Sequence, residues 1–217
     1  MNIKDYKDKE IKMYILGIVF IYIYISNSFK INNDTIMCAN QLITTILASG
    51  VIYLFTYLSD AIISSYLKDK MIYLFGIISK PGECIFSQIQ KNCIDDRISK
   101  EKASKIYKNV YRNMPKDKKK RKKYEHLNWY SIYSMYREEK MIEISHREYL
   151  MTRDLVTVTI SIFIIYTVLS ILKLTTWNYK FAILLIILIA INIVSTNIKS
   201  KRFVYNVIAI DMTKASE

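Results

Sequence analysis

The sequence predicts an all-α integral membrane protein, with two transmembrane helical hairpins flanking a basic helical insert. Three observations predict it. The 217 residues are 52% hydrophobic yet carry a formal net charge of +13. The apolar and charged residues fall in separate blocks, as they do when one set meets lipid and the other water. Four Gly and two Pro are too few for a β-sandwich, a Rossmann fold or a glycine-rich phosphate loop.

The apolar blocks come first. Four stretches lack Asp, Glu, Lys and Arg: 13–29, 35–59, 155–172 and 181–198. A helix of about 20 residues crosses a hydrocarbon core of about 30 Å, so each is long enough to span. Residues 13–25 and 181–194 hold almost nothing polar. The second stretch carries Asn40, Gln41, Thr44, Thr45, Ser49 and Thr56, which suits a face turned to a neighbour or to water. A soluble bundle is the alternative, but buried helices usually keep a polar stripe and residues 181–191 keep none. The basic start with its apolar run resembles a signal peptide. Residues 26–34 offer no small-residue cleavage site, so an uncleaved first span is expected.

Charge sets the orientation. Of 32 Lys and Arg, 29 lie in segments 1–12, 60–154 and 199–217, and three in the short loops 30–34 and 173–180. The positive-inside rule then puts both termini and the central segment in the cytoplasm. The expected organisation is a cytoplasmic N-terminus (1–12), hairpin one (13–59), a cytoplasmic insert (60–154), hairpin two (155–198) and a cytoplasmic tail (199–217). Phe29, Trp177 and Tyr179 sit where an outer aromatic belt forms.

Within the insert, residues 71–79 are apolar but too short to span. They suit an interfacial or re-entrant segment, or a helix buried against the insert. Pro81-Gly82 suits a type II turn. Asp95 and Asp96 offer N-cap chemistry to a helix whose stripe is Ile94, Ile98, Ile106, Val110 and Met114, and Pro115 ends it. No Gly or Pro follows, so the segment from Tyr124 can run helically into the third span.

Few residues carry chemistry. Lys118, Lys119, Lys120, Arg121, Lys122 and Lys123 form an unbroken cationic run. It suits a solvated loop that serves topology, contact with anionic lipid, or contact with nucleic acid with Trp129 and Tyr130 stacking on bases. Arg121 and His126 have R-x4-H spacing and resemble the motif of HEPN-type ribonucleases, which implies a phosphate-stabilising Arg and an acid–base His on an α-helical, usually dimeric domain. Ser99-Lys100-Glu101-Lys102 matches S-x-x-K without its companion motifs. His146 has no partner at metal-ligand spacing. Cys38, Cys84 and Cys93 form no CxxC and no even set, so neither a disulfide framework nor a zinc ribbon is expected. No metal, no cofactor and no enzymatic activity are expected. The spans lack the ionisable groups that ion-coupled carriers use. Gln41, Thr45, Ser49 and Thr56 are the candidate lining of an oligomeric pore, with Asn192 and Asn197 a weaker pair. Interhelical hydrogen bonding is the alternative role for all of them.

The layout resembles small bacterial four-span membrane proteins, some of them proposed as membrane-disrupting effectors in anti-phage defence. Pro81-Gly82, Asp96-Arg97-Ile98, Asn128-Trp129-Tyr130 and Tyr149-Leu150 with Arg153-Asp154 carry the local likeness. The resemblance implies a multi-pass protein of the bacterial inner membrane and transfers no catalytic residue. Two functions follow as expectations. One is a homo-oligomeric effector that permeabilises or depolarises the membrane when its insert senses a cytoplasmic protein or small molecule. The other is a non-catalytic anchor or adaptor that recruits a cytoplasmic partner or anionic lipid. A membrane-tethered ribonuclease is a third, resting on Arg121 and His126.

Overall fold

The computed structural model describes residues 3–26, 35–91 and 95–215. Every regular element among them is helical: α1 (Ile3–Ile25), α2 (Thr35–Ile62), α3 (Ser65–Ile72), α4 (Ile85–Lys91), α5 (Lys100–Ile106), α6 (Lys108–Arg112), α7 (Lys118–Tyr136), α8 (Lys140–Ile171) and α9 (Tyr179–Lys214). Two helices, α8 and α9, are long and apolar enough to cross a membrane, and α2 contains a shorter apolar stretch, Ser49–Ser59. The chain divides into two compact units, Met1–Asp69 with Met151–Val194, and Lys70–Leu150 with Ser195–Glu217.

The first unit is an apolar helix cluster. Ile11, Ile15, Ile18 and Val19 of α1 bury the side that meets Val158, Ile162 and Tyr166 of α8 and Phe181, Ala182 and Leu185 of α9. The spacings of three and four residues put each set on one helical face. α1 also packs along α2. The opposite faces stay uncovered: Met13, Leu16 and Phe20 on α1, Ile46, Leu47, Val51, Leu54 and Leu58 on α2, and Ile183, Ile187, Ile191 and Val194 on α9 are all exposed. Only 28% of the apolar window of α9 is buried. α8 stops without Gly or Pro. Lys173 takes a left-handed φ of 59°, and the Leu174 amide reaches back to the Leu169 carbonyl at 2.9 Å, the pattern of a Schellman cap. The loop that follows is held by Tyr166, whose hydroxyl accepts from the Asn178 amide at 2.6 Å and whose ring stacks on Trp177. Phe29 and the loop 30–34 lie outside the described residues.

The second unit is built around the last part of α9. Residues 203–209 are all buried, which is the mark of a helix wrapped on every side. Phe203, Val204, Tyr205, Val207, Ile208, Ala209 and Met212 join Ile85, Phe86 and Ile89 of α4, Ala103 of α5, Trp129 and Ile132 of α7 and Ile142 of α8 in one core. Phe203 stacks on His146 (4.8 Å, 15°) and meets the edges of Trp129 and Tyr133 at 5.5 and 5.4 Å. Each such pair adds roughly 0.5–1.5 kcal/mol beyond its buried area. Within the fully buried run 203–209 the amide Asn206 interrupts the apolar side chains, and its carbonyl accepts from the Arg97 guanidinium at 2.9 Å. The sequence reading set 199–217 apart as a tail; here residues 199–214 are the last part of α9, and 203–212 lie at the centre of this unit.

Local expectations are corrected at five places, one of them the run expected from Tyr124 into the third span, which breaks at residues 137–139 between α7 and α8. The helix expected from Asp95 starts at Lys100, where Ser99 is the N-cap and accepts from the Lys102 amide. That capping role accounts for Ser99 and Lys102 of the S-x-x-K match. Asp95 instead turns the chain and holds Arg97, at 2.9 and 2.6 Å to its Nε and Nη2. The same helix breaks at Tyr107 (φ −97°, ψ 25°), so α5 and α6 are separate. Pro81–Glu83 forms a 3-10 turn, and Gly82 lacks the positive φ that a type II turn requires. Gly82 is needed for space: a Cβ there would lie 3.0 Å from Cε3 of Trp129. Finally, 118–123 is helical from its first residue.

Candidate functional site

The cationic run occupies the first turns of α7. Asp117 is the N-cap, and its side chain accepts from the Lys120 amide at 2.8 Å. Lys118, Lys119, Lys120 and Lys123 are exposed, and Arg121 and Lys122 are half-buried. Lys122 lies 3.9 Å from Glu83, a long contact for an ion pair. A helix N-terminus carries partial positive charge, and a cation in its first turn is disfavoured by roughly 0.3–1 kcal/mol. The run therefore works against the helix that bears it. What fixes α7 lies two turns on. The buried Glu125 carboxylate accepts from the amide and the hydroxyl of Ser87 at the start of α4, and Trp129 and Ile132 are buried behind it.

Arg121 and His126 share this helix but not a face. Five residues set their side chains about 140° apart around the axis. His126 stacks on Trp129 at 5.8 Å, with Nδ1 beside Gly82. Trp129 is 6% exposed and serves the core, so of the two aromatics expected to stack on bases only Tyr130 faces out. Cys84 lies under the same helix. Its thiol donates to the carbonyls of Lys80 and Pro81. Burial, and then the charges of Glu125 and Glu83, push its pKa up to about 11, which leaves it a poor nucleophile.

The polar residues of the apolar unit are spent on helix contacts. Ser49 donates to the Ile46 carbonyl at 2.8 Å, and the buried Thr56 to the Tyr53 carbonyl at 2.9 Å. The side chains of Gln41 and Thr45 lie outside the described ones. Asn192 donates to the Tyr14 hydroxyl at 2.8 Å and to Thr159 Oγ1 at 3.0 Å, which ties α9 to α1 and α8. Asn197 belongs to the second unit, where its side chain donates to the Ile72 carbonyl at 3.4 Å.

A charge cluster escaped the sequence reading. Asp154 is fully buried; Lys68 Nζ lies 3.4 Å and Arg153 Nε 3.5 Å from its Oδ1. Arg153 Nη1 lies 3.9 Å from Asp69, which widens the pair to four charges. The available signal was a Lys-Asp and an Arg-Asp dipeptide, each close to an apolar stretch. Among the described residues no group of three or more His, Cys, Asp or Glu side chains is placed to hold a metal ion.

No family model, no curated protein and no solved structure matches this chain.

Proposed function

We propose that this chain is a four-span membrane anchor whose second unit lies on the cytoplasmic face and holds anionic lipid through the first turns of α7. The observation that carries the reading is the cationic run at the positive end of a helix dipole. There it weakens its own helix, so its use lies outside the fold. Lysines near an anionic surface gain about 1 kcal/mol each, which exceeds the helix penalty. The spanning part is supported by the uncovered apolar rows of α1, α2 and α9, and the orientation by the clustering of 29 of 32 Lys and Arg in the segments assigned to one side. A depolarising effector needs a wet path. Ser49 and Thr56, expected to line it, bond their own helix, so the anchor reading is preferred.

Two measurements test it. Single cysteines at Asn32, Lys120 and Thr176 in sealed right-side-out vesicles report topology. Asn32→Cys and Thr176→Cys react with an impermeant maleimide at once, and Lys120→Cys only after permeabilisation. Labelling of all three from one side ends the four-span reading. Titration of delipidated protein with phosphatidylglycerol then reports the lipid contact. Replacing Lys118–Lys123 by Gln weakens binding, and equal affinity in both forms removes the role.

A further inference from the structure

Three successive residues after α3 have left-handed backbone: Leu74 (φ 46°), Phe75 (φ 55°) and Gly76 (φ 99°). Glycine is at ease there; leucine and phenylalanine are strained. The strain does not serve burial. Leu74, Phe75 and Ile77 are 39%, 73% and 83% exposed. It lifts three bulky apolar side chains off the surface of the unit.

Three amides of the loop are bonded within it. The amides of Gly76 and Ile78 both donate to the Tyr73 carbonyl, at 2.9 and 3.1 Å, and the Ile77 amide donates to the Leu74 carbonyl at 3.2 Å. A segment can enter the acyl region only if its amides are bonded internally, because lipid offers no partner. The amides of Gly76, Ile77 and Ile78 meet that condition, and the side chains at the tip are apolar.

The base of the loop is fixed to α9. Ile72 and Tyr73 are buried. The Tyr73 hydroxyl and Ser200 Oγ are 2.7 Å apart, and Asn197 donates to the Ile72 carbonyl. These two α9 residues bracket Ile198, the last large apolar side chain that α9 exposes. The loop is thus held at the level where α9 changes from apolar to cationic, with Lys201 and Arg202 the next exposed residues. Lys80 lies over the Tyr73 ring at 5.7 Å, and Lys70 stands exposed before the loop.

The geometry points to residues 74–77 as a wedge that inserts into the interface of one lipid leaflet. Leu74, Phe75 and Ile77 enter the edge of the acyl region, while Lys70, Lys80, Lys201 and Arg202 meet the phosphates of anionic headgroups. Amphipathic elements of this kind reach about 5–10 Å into the headgroup–acyl boundary. The inference rests on the four-span reading and adds a second lipid contact to it, made by a loop rather than a span.

The test uses the full chain with Cys38, Cys84 and Cys93 changed to Ser, reconstituted in nanodiscs of phosphatidylcholine and phosphatidylglycerol. An environment-sensitive fluorophore is placed on Phe75→Cys, and separately on Ile77→Cys, Ile187→Cys and Leu127→Cys. All four positions are exposed, so labelling leaves the packing alone. The expected result is a blue-shifted emission at 75 and 77, quenched more by a nitroxide near the headgroup than by one deep in the chain. Position 187 shows the reverse preference, and 127 emits as in water. Emission at 75 and 77 matching 127, with 187 still quenched by the deep nitroxide, overturns the wedge and leaves the four-span reading intact. Loss of quenching at 187 overturns the four-span reading itself, and the wedge with it.

Discussion

Gly82, Asp154 and Tyr107 each have a role that only their neighbours in space define. Gly82→Ala places a methyl 3.0 Å from Trp129 Cε3 and 3.3 Å from His126 Nδ1. Both rings are held by stacking, so the strain has nowhere to go, and a loss of about 1–3 kcal/mol is expected. Denaturation followed by tryptophan emission measures it. Asp154→Ala leaves Lys68 and Arg153 without the carboxylate they share, at a cost of about 3–5 kcal/mol. Lys68→Met with Asp154→Leu should recover much of that, and thermal unfolding of the singles and the double decides. Tyr107 donates to Asp211 at 2.6 Å. Burial, followed by that bond, pushes its pKa well above the ordinary tyrosine value. A raised pKa stabilises the fold fully below the unfolded value of about 10, and the contribution fades as pH rises beyond it. Tyr107→Phe therefore costs about 1.5–3 kcal/mol at neutral pH. Its deficit against the parent shrinks above about pH 10, which melting curves at pH 8 and pH 11 will show. Apart from the adjacent Arg153 and Asp154, none of these contacts was legible in the sequence, because the partners lie 44 or more positions apart.

At the scale of single elements the sequence was more informative, and its errors were local. The stop at Pro115 follows from where Pro occurs, but the run expected from Tyr124 into the third span breaks at residues 137–139, where neither Gly nor Pro stands. The break at Tyr107 carries no such mark. Ser99 won the cap from Asp95 because Arg97 claims the Asp95 carboxylate, and the Arg97 hydrogen bond holds that carboxyl below its ordinary pKa. α7 gives a prediction with two opposed signs. Replacing Lys118–Lys123 by Gln removes cations from the positive end of the helix, so unit stability rises slightly, by roughly 0.3 kcal/mol or more. Affinity for anionic lipid falls over the same substitutions. A fall in both is the mark of a structural role instead. α2 gives another. Ser49→Leu leaves the dye leak of reconstituted vesicles unchanged under the anchor reading, and an altered leak returns weight to the effector.

At the scale of the whole molecule, composition made the helical class and the apolar blocks of α8 and α9 readable. The place of the C-terminal segment was not read, although the run from Phe203 to Ile210 is apolar except for Asn206 and could have been taken as a helix covered all round. Its proximity to the end of the chain suggested a tail instead. Deleting 203–217 removes seven side chains from the core of the second unit. The expected result is rapid proteolysis within 70–150 while, under the anchor reading, the apolar parts of α8 and α9 remain in the membrane fraction, as fragment mapping after carbonate extraction would show. Survival of 70–150 at the parent rate would mean that this part folds without its central helix.

That central helix also imposes an order on biosynthesis. Residues 203–212 leave the ribosome after α4, α5 and α7, yet those helices have their core only around them. At about 5–20 residues per second the chain from Leu150 to Met212 takes several seconds to appear. During that interval residues 70–150 are outside without the helix they close upon. A nascent protein that stalls before Met212 is thus marked by an open, apolar and basic segment, a ready substrate for chaperones and proteases. Synthesis of the central helix and closure of the second unit are one event.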